Sequence, residues 1–266
     1  MPLSPLLRQY DNVLLDLDGC VWLGDECVAG APAAVALLRA EGKAVAFLTN
    51  DSRMMPEDYV RKLWSLGVQA GLEEVVTAGS AIQHVLADRP PPTSAFVIGS
   101  EAIFRHVSDA GCRIVNRTDR AERADVVVVA GHDELTYGEL QAATRALLDG
   151  AEMLAADRDP VFPARDGMSP GTGAFVAALE YASGTIARSV GKPATQMFET
   201  TLDRLARGRS LMIGDRLEAD LAGATAAGID GAIVLSGVAD RAQAEAATDP
   251  APVGIAATLH DLVVTR

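Results

Sequence analysis

Cysteine is scarce in this chain, and its spacing excludes two common kinds of site. The 266 residues include three cysteines, Cys20, Cys27 and Cys112, and no CxxC pair. Disulfide frameworks and thiolate metal sites need cysteines in recurring close pairs. We therefore expect free thiols and a reducing compartment.

Basic residues and long apolar runs are also few. Lys and Arg number 23 against 36 Asp and Glu, which gives a formal net charge of −13. Nucleic acids and anionic lipids bind clustered basic side chains, so we expect neither nucleic acid nor membrane as a partner. The longest apolar runs, such as DVVVVAG at 125–131, are too short to cross a bilayer. The opening residues show no apolar export signal, so we expect a cytoplasmic protein with a small-molecule partner.

Two kinds of apolar segment alternate along most of the chain. Amphipathic stretches repeat apolar residues every three or four positions and end near a glycine, as in AAVALLRAEG, PEDYVRKLWSLG and TYGELQAATRALLDG. Strand-like runs lie at 13–17, 44–48, 95–98, 125–129, 152–155, 210–213 and 231–235. This alternation is typical of βαβ units around a parallel sheet, so we predict an α/β fold.

Two carboxylates end the first strand-like run, VLLDLDGC. Asp18-Gly19 by itself is a common turn signal. Asp16 lies inside the apolar run, where an unpaired buried carboxylate costs several kcal/mol. A divalent cation at the carboxyl end of the strand would offset that cost, and ligands bind at this end in open α/β sheets.

Three further segments carry polar groups that are weak signals one by one. FLTND (47–51) and LMIGDRLEAD (211–220) end strands, but their polar residues also suit helix caps. VGKP (190–193) holds a lysine, a residue type that is usually solvated. Taken together, the segments supply a nucleophile, phosphate donors, a charge neutraliser and a metal ligand, which are the parts of a phosphoryl-transfer site.

In their order along the chain, these segments resemble the motifs of the haloacid dehalogenase-like phosphatases, which stand here as DLDGC, LTN, GKP and GDRLEAD. The stretches TNDSRMMPEDY, GHDELTYGEL, AADRDPVFP, SPGTG and VLSGV resemble the branch of NagD-type, p-nitrophenyl and phosphoglycolate phosphatases. In that branch a large α/β cap is inserted between the second and third motifs. The resemblance implies a Rossmann-like parallel-sheet core at 1–80 and 186–266 and an α/β cap domain at 81–185.

The resemblance also implies a role for each acid. Asp16 is expected to be the nucleophile that forms an aspartyl-phosphate, and Asp18 the general acid and base. Mg²⁺ is expected at Asp16, the backbone carbonyl of Asp18 and Asp215, an all-oxygen set. Asp220 is expected to support the site from behind these ligands.

Phosphate binding is expected at the second and third motifs. By the resemblance, Thr49 and Asn50 with the backbone amide of Asp51 hold the phosphoryl oxygens, and Lys192 neutralises their charge. Trp22 is expected to be a packing residue close enough to the catalytic strand to border the site.

Two acids depart from the family pattern, because Asp51 and Asp157 stand where Asn is usual. Both add negative charge near an anion site. Our hypothesis is that substrate preference has moved away from highly charged esters such as bisphosphates. The loop of Asp157, Arg158 and Asp159 is the candidate for leaving-group contacts, with Arg158 as the cation.

The resulting prediction is a Mg²⁺-dependent phosphatase of small phosphorylated metabolites, of the glycerol phosphate, phosphoglycolate, nucleoside monophosphate or sugar phosphate class. A phosphotransferase or mutase on the same fold is one alternative. A non-enzymatic signalling module that accepts a phosphoryl group is the other, and the paired acids and the long insert disfavour it. The oligomeric state is open, with a homodimer through the cap as the expectation from the resemblance.

Overall fold

A computed structural model describes residues 2–91, 93–164 and 167–265. Its strands are β1 Asn12–Asp16, β2 Trp22–Leu23, β3 Glu26–Cys27, β4 Ala44–Thr49, β5 Val75–Thr77, β6 Ser94–Ile98, β7 Arg113–Ile114, β8 Val126–Val129, β9 Glu152–Ala155, β10 Val161–Ala164, β11 Gly167–Pro170, β12 Arg188–Ser189, β13 Ser210–Gly214, β14 Asp230–Val234 and β15 Ile255–Ala256. Its α-helices are α1 Ala31–Ala40, α2 Pro56–Ser65, α3 Ala78–Ala87, α4 Glu101–Asp109, α5 Tyr137–Leu148, α6 Thr172–Ser183, α7 Gln196–Leu202, α8 Ala222–Ala226, α9 Arg241–Ala246 and α10 Leu259–Val263.

The chain divides into two compact units. The first, here called the core unit, consists of Met1–Thr49, Pro56–Val76 and Lys192–Arg266. The second, the insert unit, consists of Asn50–Met55 and Thr77–Gly191. Each unit contains a parallel sheet of its own within the described residues.

The core unit is built on a sheet with the strand order β15-β14-β13-β1-β4-β5. The central strand β1 pairs in parallel with β13 on one side and with β4 on the other. All of β1 and β13 is buried, as expected for strands of a parallel sheet that helices cover. The carboxyl ends of β1, β4 and β13 therefore lie side by side.

The insert unit has a smaller parallel sheet with the order β12-β9-β8-β6-β7. Its central strand β8 is the all-valine run 126–129, buried throughout. Helix α5 begins with a capping box, in which Thr136 and Glu139 satisfy each other's backbone amides. Helix α6 packs against α5, and the antiparallel hairpin of β10 and β11 precedes it.

The predicted α/β class is confirmed, and each strand-like run of the sequence forms a strand. The apolar run at 152–155 coincides with β9, while the others differ from their strands by one residue at one or both ends. The sequence did not predict the short strands β2, β3, β10 and β11, which pair as hairpins. It also did not predict β5, β7, β12 and β15, which have only two or three residues each. The cysteines are free thiols, as predicted. In the part of the chain that the structure describes, no helix has the length and hydropathy needed to span a membrane.

Candidate active site

Asp16 is the last residue of β1 and is only 6% exposed. The chain then turns at Gly19, whose φ of +83° lies in the left-handed region that glycine tolerates. A Cβ atom at Gly19 would lie 2.3 Å from Oδ2 of Asp215, so only glycine fits against this carboxylate. The turn is tied to the opposite loop by the Ser236 hydroxyl, which donates to the Gly19 carbonyl at 2.6 Å. The end of β1 and the loop after β14 are thereby held together.

Lys192 is the cation at the centre of the site. Its buried Nζ donates to Oδ1 of Asp16 at 2.5 Å and to Oδ1 of Asp220 at 2.7 Å. Burial lowers the pKa of Lys192, but the two carboxylates outweigh that effect and raise the pKa well above its ordinary value. Lys192 is therefore an ammonium ion throughout the physiological pH range.

Asp220 holds Lys192 and the loop after β13 in place. It lies in a single turn of π-helix, Leu217–Leu221. Its Oδ2 accepts the backbone N–H groups of Asp215 at 3.1 Å and of Arg216 at 3.0 Å. Both oxygens of Asp220 thus have donors within the protein. This arrangement suits a residue that orients its neighbours.

Asp215 follows β13 and has one carboxylate oxygen without a donor. Its Oδ2 accepts the Val238 backbone N–H at 2.7 Å. Its Oδ1 is buried and has no hydrogen-bond partner among the described residues. Burial and the charge of Asp220 raise the pKa of Asp215, so its environment opposes the ionised form as it stands.

The carboxylates of Asp16, Asp215 and Asp220 converge, and one oxygen from each lies within 4.8 Å of the others. Burial raises the pKa of Asp16 well above its ordinary range, and Asp220 and Asp215 raise it further while Lys192 opposes them. A single ammonium group does not balance this concentration of buried acid. The unpartnered Oδ1 of Asp215 and the all-oxygen donor set fit a hard divalent cation.

Asp18 lies beyond the end of β1 with an exposed side chain. Its Oδ1 accepts a hydrogen bond from the indole Nε1 of Trp22 at 2.8 Å. Trp22 itself is 1% exposed, so it is a packing residue as expected. The sequence did not predict its contact with Asp18.

The residues expected to bind phosphate occupy the end of β4 and the segment after it. Thr49, the last residue of β4, is 3% exposed in the core unit. Asn50 and Asp51 follow it in the chain and belong to the insert unit. Asp51 is paired with Arg53, whose Nη1 lies 3.1 Å from its Oδ1.

Arg53 is a residue that the sequence analysis missed. Within the insert unit, its guanidinium stacks over the Phe162 ring at 3.7 Å, and its Nε lies 3.5 Å from Oδ1 of Asp133. It also opposes the raised pKa of Asp157. The stretch TNDSRMMPEDY contained it, but only the fold shows that it faces three acids.

The loop of Asp157 to Asp159 belongs to the insert unit. Asp157 is buried and accepts from the Asp159 backbone N–H at 2.9 Å and the Thr172 hydroxyl at 2.9 Å. Burial raises the pKa of Asp157 to about 6, with repulsion from Asp159 as a second cause. The guanidinium of Arg158 is bound to Glu180, with Nη2 2.5 Å from Oε1.

The loop 236–238 also contacts the site, although the sequence predicted no role for it. Val238 donates its N–H to Asp215, and a Cβ atom at Gly237 would lie 1.9 Å from Oδ2 of the same carboxylate. Gly237 stands in the VLSGV stretch, three residues after the end of β14. A glycine in the loop that follows a strand is the local signal that the backbone approaches another group closely here.

Comparison with known families agrees with this geometry. The model of the haloacid dehalogenase-like hydrolases matches residues 13–113. A second model, described as HAD-hydrolase-like, matches residues 189–262. The matched ranges contain the strands that end in Asp16 and in the residue before Asp215.

The chain is similar to curated proteins over nearly its whole length. The chain is 33% identical to the D-glycerol 3-phosphate phosphatase of Mycobacterium tuberculosis over 98% of its length and 72% of that protein. It is 34% identical to human chronophin over 98% of this chain and 90% of chronophin. A crystal structure of the M. tuberculosis glycerol phosphate phosphatase in complex with magnesium superposes with a TM-score of 0.88 at 33% identity, covering 96% of this chain and 78% of that one.

The chain belongs to the haloacid dehalogenase-like hydrolase family. The family resemblance predicted from its motifs is confirmed, and the enzyme class is that of a phosphoric monoester hydrolase.

Proposed function

We propose that the protein is a Mg²⁺-dependent phosphatase of small phosphorylated metabolites that works through an aspartyl-phosphate. One observation carries this proposal: the buried carboxylates of Asp16, Asp215 and Asp220 meet around Lys192, and Oδ1 of Asp215 has no partner in the described part of the chain. The magnesium-bound structure of the M. tuberculosis relative supports the choice of metal.

Asp16, Asp215 and the backbone carbonyl of Asp18 are the proposed ligands of the metal. When bound, Mg²⁺ supplies positive charge that neutralises the phosphoryl oxygens and the facing carboxylates. Asp220 is not a proposed ligand, because its oxygens already accept from Lys192 and from two backbone amides.

The reaction begins with attack on phosphorus by the Asp16 oxygen that does not accept from Lys192. The bond from phosphorus to the ester oxygen breaks, and Asp18 gives its proton to the leaving alcohol. Asp18, now a carboxylate, then takes a proton from the water that hydrolyses the aspartyl-phosphate. Thr49, Asn50 and the amide of Asp51 hold the phosphoryl oxygens, and Lys192 balances their charge.

The proposed substrates are monoesters of small metabolites, of the glycerol phosphate, phosphoglycolate, nucleoside monophosphate or sugar phosphate class. The names of the relatives support glycerol phosphate as the first compound to assay. We propose the insert unit as the family's cap domain, with Asp157, Arg158 and Asp159 as leaving-group contacts. Its 81–185 boundary, a dimer through it and a cytoplasmic location stay predictions.

The test is a phosphate-release screen over a panel of these esters, with Mg²⁺ or EDTA, on the wild type, Asp16→Asn and Asp215→Asn. We expect turnover only in the wild type with Mg²⁺. Asp16→Asn keeps the size of the side chain but removes the nucleophile, so its activity should fall at least about a thousandfold. Asp230→Asn, at the start of β14, is the control and should keep wild-type activity.

Full turnover by Asp16→Asn, or turnover that EDTA leaves unchanged, would contradict the proposal. A parallel assay with glycerol and glucose as phosphoryl acceptors addresses the phosphotransferase alternative. That alternative would replace ours if phosphate appeared on the acceptor rather than in solution.

A further inference from the structure

The loop that carries Asp18 also brings the indole of Trp22 to its carboxylate. Nε1 of Trp22 donates to Oδ1 of Asp18 at 2.8 Å, a charge-assisted hydrogen bond when Asp18 is ionised. We infer that Trp22 is a positioning residue, which fixes the Asp18 carboxyl for proton transfer to the leaving alcohol. This inference rests on the proposed function, because it assigns a means of control to the proposed acid.

Trp22 is well placed for this task because both its backbone and its ring are fixed. Its backbone N–H donates to the Leu17 carbonyl at 3.1 Å, and its carbonyl accepts from Gly19 N–H at 2.7 Å. Its side chain is 1% exposed in the core unit. The fixed indole therefore offers its N–H at one set position, which favours the rotamer of Asp18 that accepts it.

A lysine from α2 lies over the face of the same indole. Nζ of Lys62 is 4.3 Å from the centre of the Trp22 ring, within the range of a cation–π contact. A positive charge over the ring draws electron density from it and makes the N–H group a stronger donor. Two contacts in series, Lys62 on Trp22 and Trp22 on Asp18, therefore connect α2 to the loop after β1.

A packing role alone would explain the burial of Trp22 but not the hydrogen bond or the lysine over its face. The two roles differ in how their loss depends on the leaving group. An alkyl phosphate releases a strongly basic alkoxide that needs a proton, whereas p-nitrophenyl phosphate releases a stable anion that does not. Loss of a positioning residue therefore lowers kcat/KM, which reports the steps up to release of the alcohol, selectively for alkyl esters, whereas loss of packing lowers it for both. Hydrolysis of the aspartyl-phosphate, in which Asp18 is the proposed base, is common to the two esters and does not enter kcat/KM.

The decisive variant is Trp22→Phe, which keeps the ring and removes the donor. We expect kcat/KM for glycerol 3-phosphate to fall about 10- to 100-fold and kcat/KM for p-nitrophenyl phosphate to fall less than about threefold. The double variant Trp22→Phe, Asp18→Asn should be no slower than Asp18→Asn alone. Equal losses on the two esters, or losses that multiply in the double variant, overturn the inference.

Two further measurements keep the test decisive if Trp22→Phe does not fold. Lys62→Met leaves the indole in place and should show the same selectivity with a smaller loss; equal losses on both esters count against the two contacts acting in series. In ¹⁵N spectra, Asp18→Ala should shift the indole N–H signal of Trp22 and leave that of Trp64, which donates to the Ala70 carbonyl at 2.8 Å, unchanged. An unmoved Trp22 signal overturns the inference, whereas a wild type without phosphatase activity overturns the proposed function instead.

Discussion

Nζ of Lys192 lies 2.5 Å from Oδ1 of Asp16, although 176 positions separate the two residues in the chain. Both are buried, and the pair brings a cation to the end of β1 where the sequence places an acid. The contact is possible because β1 is central in the sheet and the segment of Lys192 returns to the same edge. Lys192 is thus a counterion for Asp16 that the protein itself supplies.

Removal of the Lys192 ammonium should destabilise the core unit and abolish activity. In Lys192→Met the carboxylates of Asp16 and Asp220 lose their shared partner, and breaking a buried pair in this way costs about 3–5 kcal/mol. Thermal unfolding and phosphate release measure the two effects. Arg241→Met is the control, because its ion pair with Glu245 is exposed and such pairs contribute about 1 kcal/mol or less. Wild-type turnover in Lys192→Met would contradict the central position of the lysine.

Gly19→Ala should disrupt the metal site through a direct clash. The added Cβ would lie 2.3 Å from Oδ2 of Asp215, so the carboxylate must move. Gly24→Ala is the matched control, because Gly24 also has a positive φ, of +57°, and nothing lies within 4 Å of its Cβ position. Both variants bear left-handed strain of about 1–2 kcal/mol, but only Gly19→Ala should lose Mg²⁺-dependent activity.

Titration calorimetry with Mg²⁺ separates the two glycine variants without an assay of turnover. Heat of binding should be lost in Gly19→Ala and kept in Gly24→Ala. If both variants bound the metal like the wild type, the contact of Gly19 with Asp215 would not matter for the site.

Asp157→Asn should stabilise the protein at neutral pH and have less effect in acid. The pKa of Asp157 rises from 3.8 to about 6 on folding, so the native state holds its proton more tightly than the unfolded chain. The stability contributed by this carboxyl is complete below about pH 4 and is lost as the pH rises through about 6. At about pH 8 the loss is on the order of 3 kcal/mol, and asparagine avoids it.

The measurement is the unfolding midpoint of wild type and Asp157→Asn across this pH range. Asparagine keeps an acceptor for the Asp159 amide and a polar group for the Thr172 hydroxyl, so the native contacts persist. Asp159→Asn removes the negative charge that repels Asp157, so the loss of stability with rising pH should occur at lower pH in this variant than in the wild type. A difference between the proteins that does not vary with pH would refute the assignment to Asp157.

Arg53 should compensate the acid that replaces asparagine beside the phosphate donors. Arg53→Met removes the cation that lies 3.1 Å from Asp51, so the negative charge beside the proposed phosphate-binding residues weighs more and KM for phosphate esters should rise about tenfold. In the double variant Asp51→Asn, Arg53→Met, KM should return most of the way to the wild-type value, because the negative charge of Asp51 is gone. Steady-state kinetics on p-nitrophenyl phosphate supplies these values, and an unchanged KM in Arg53→Met would rule out compensation.

The hypothesis that the enzyme prefers singly phosphorylated esters to bisphosphates is tested on the wild type and on Asp51→Asn. In the wild type, kcat/KM should be higher for a singly phosphorylated sugar than for a doubly phosphorylated one. Asp51→Asn should lower the ratio of these two kcat/KM values. Bisphosphates preferred by the wild type would refute the hypothesis.

The sequence by itself determined the fold class, the main strands and the family. Hydrophobic periodicity is a local property, so the apolar runs that became β1, β4, β8 and β13 could be recognised without a structure. The motif order identified the acids Asp16 and Asp215 and the lysine Lys192, since each follows a strand or stands in a characteristic short motif. The short hairpin strands carried no such pattern.

Only the tertiary structure decided which groups meet and what each oxygen accepts. The bonds of Lys192 to Asp16 and Asp220 and of Val238 to Asp215 join segments that are distant in sequence. The bond of Trp22 to Asp18 spans only four residues, but it depends on the turn at Gly19. Arg53 became prominent for the same reason, because an arginine in a polar stretch gives no sign of its partners. Sequence patterns record which residues are buried or turned, whereas hydrogen bonds between loops depend on distances that exist only after the sheet has aligned the strand ends.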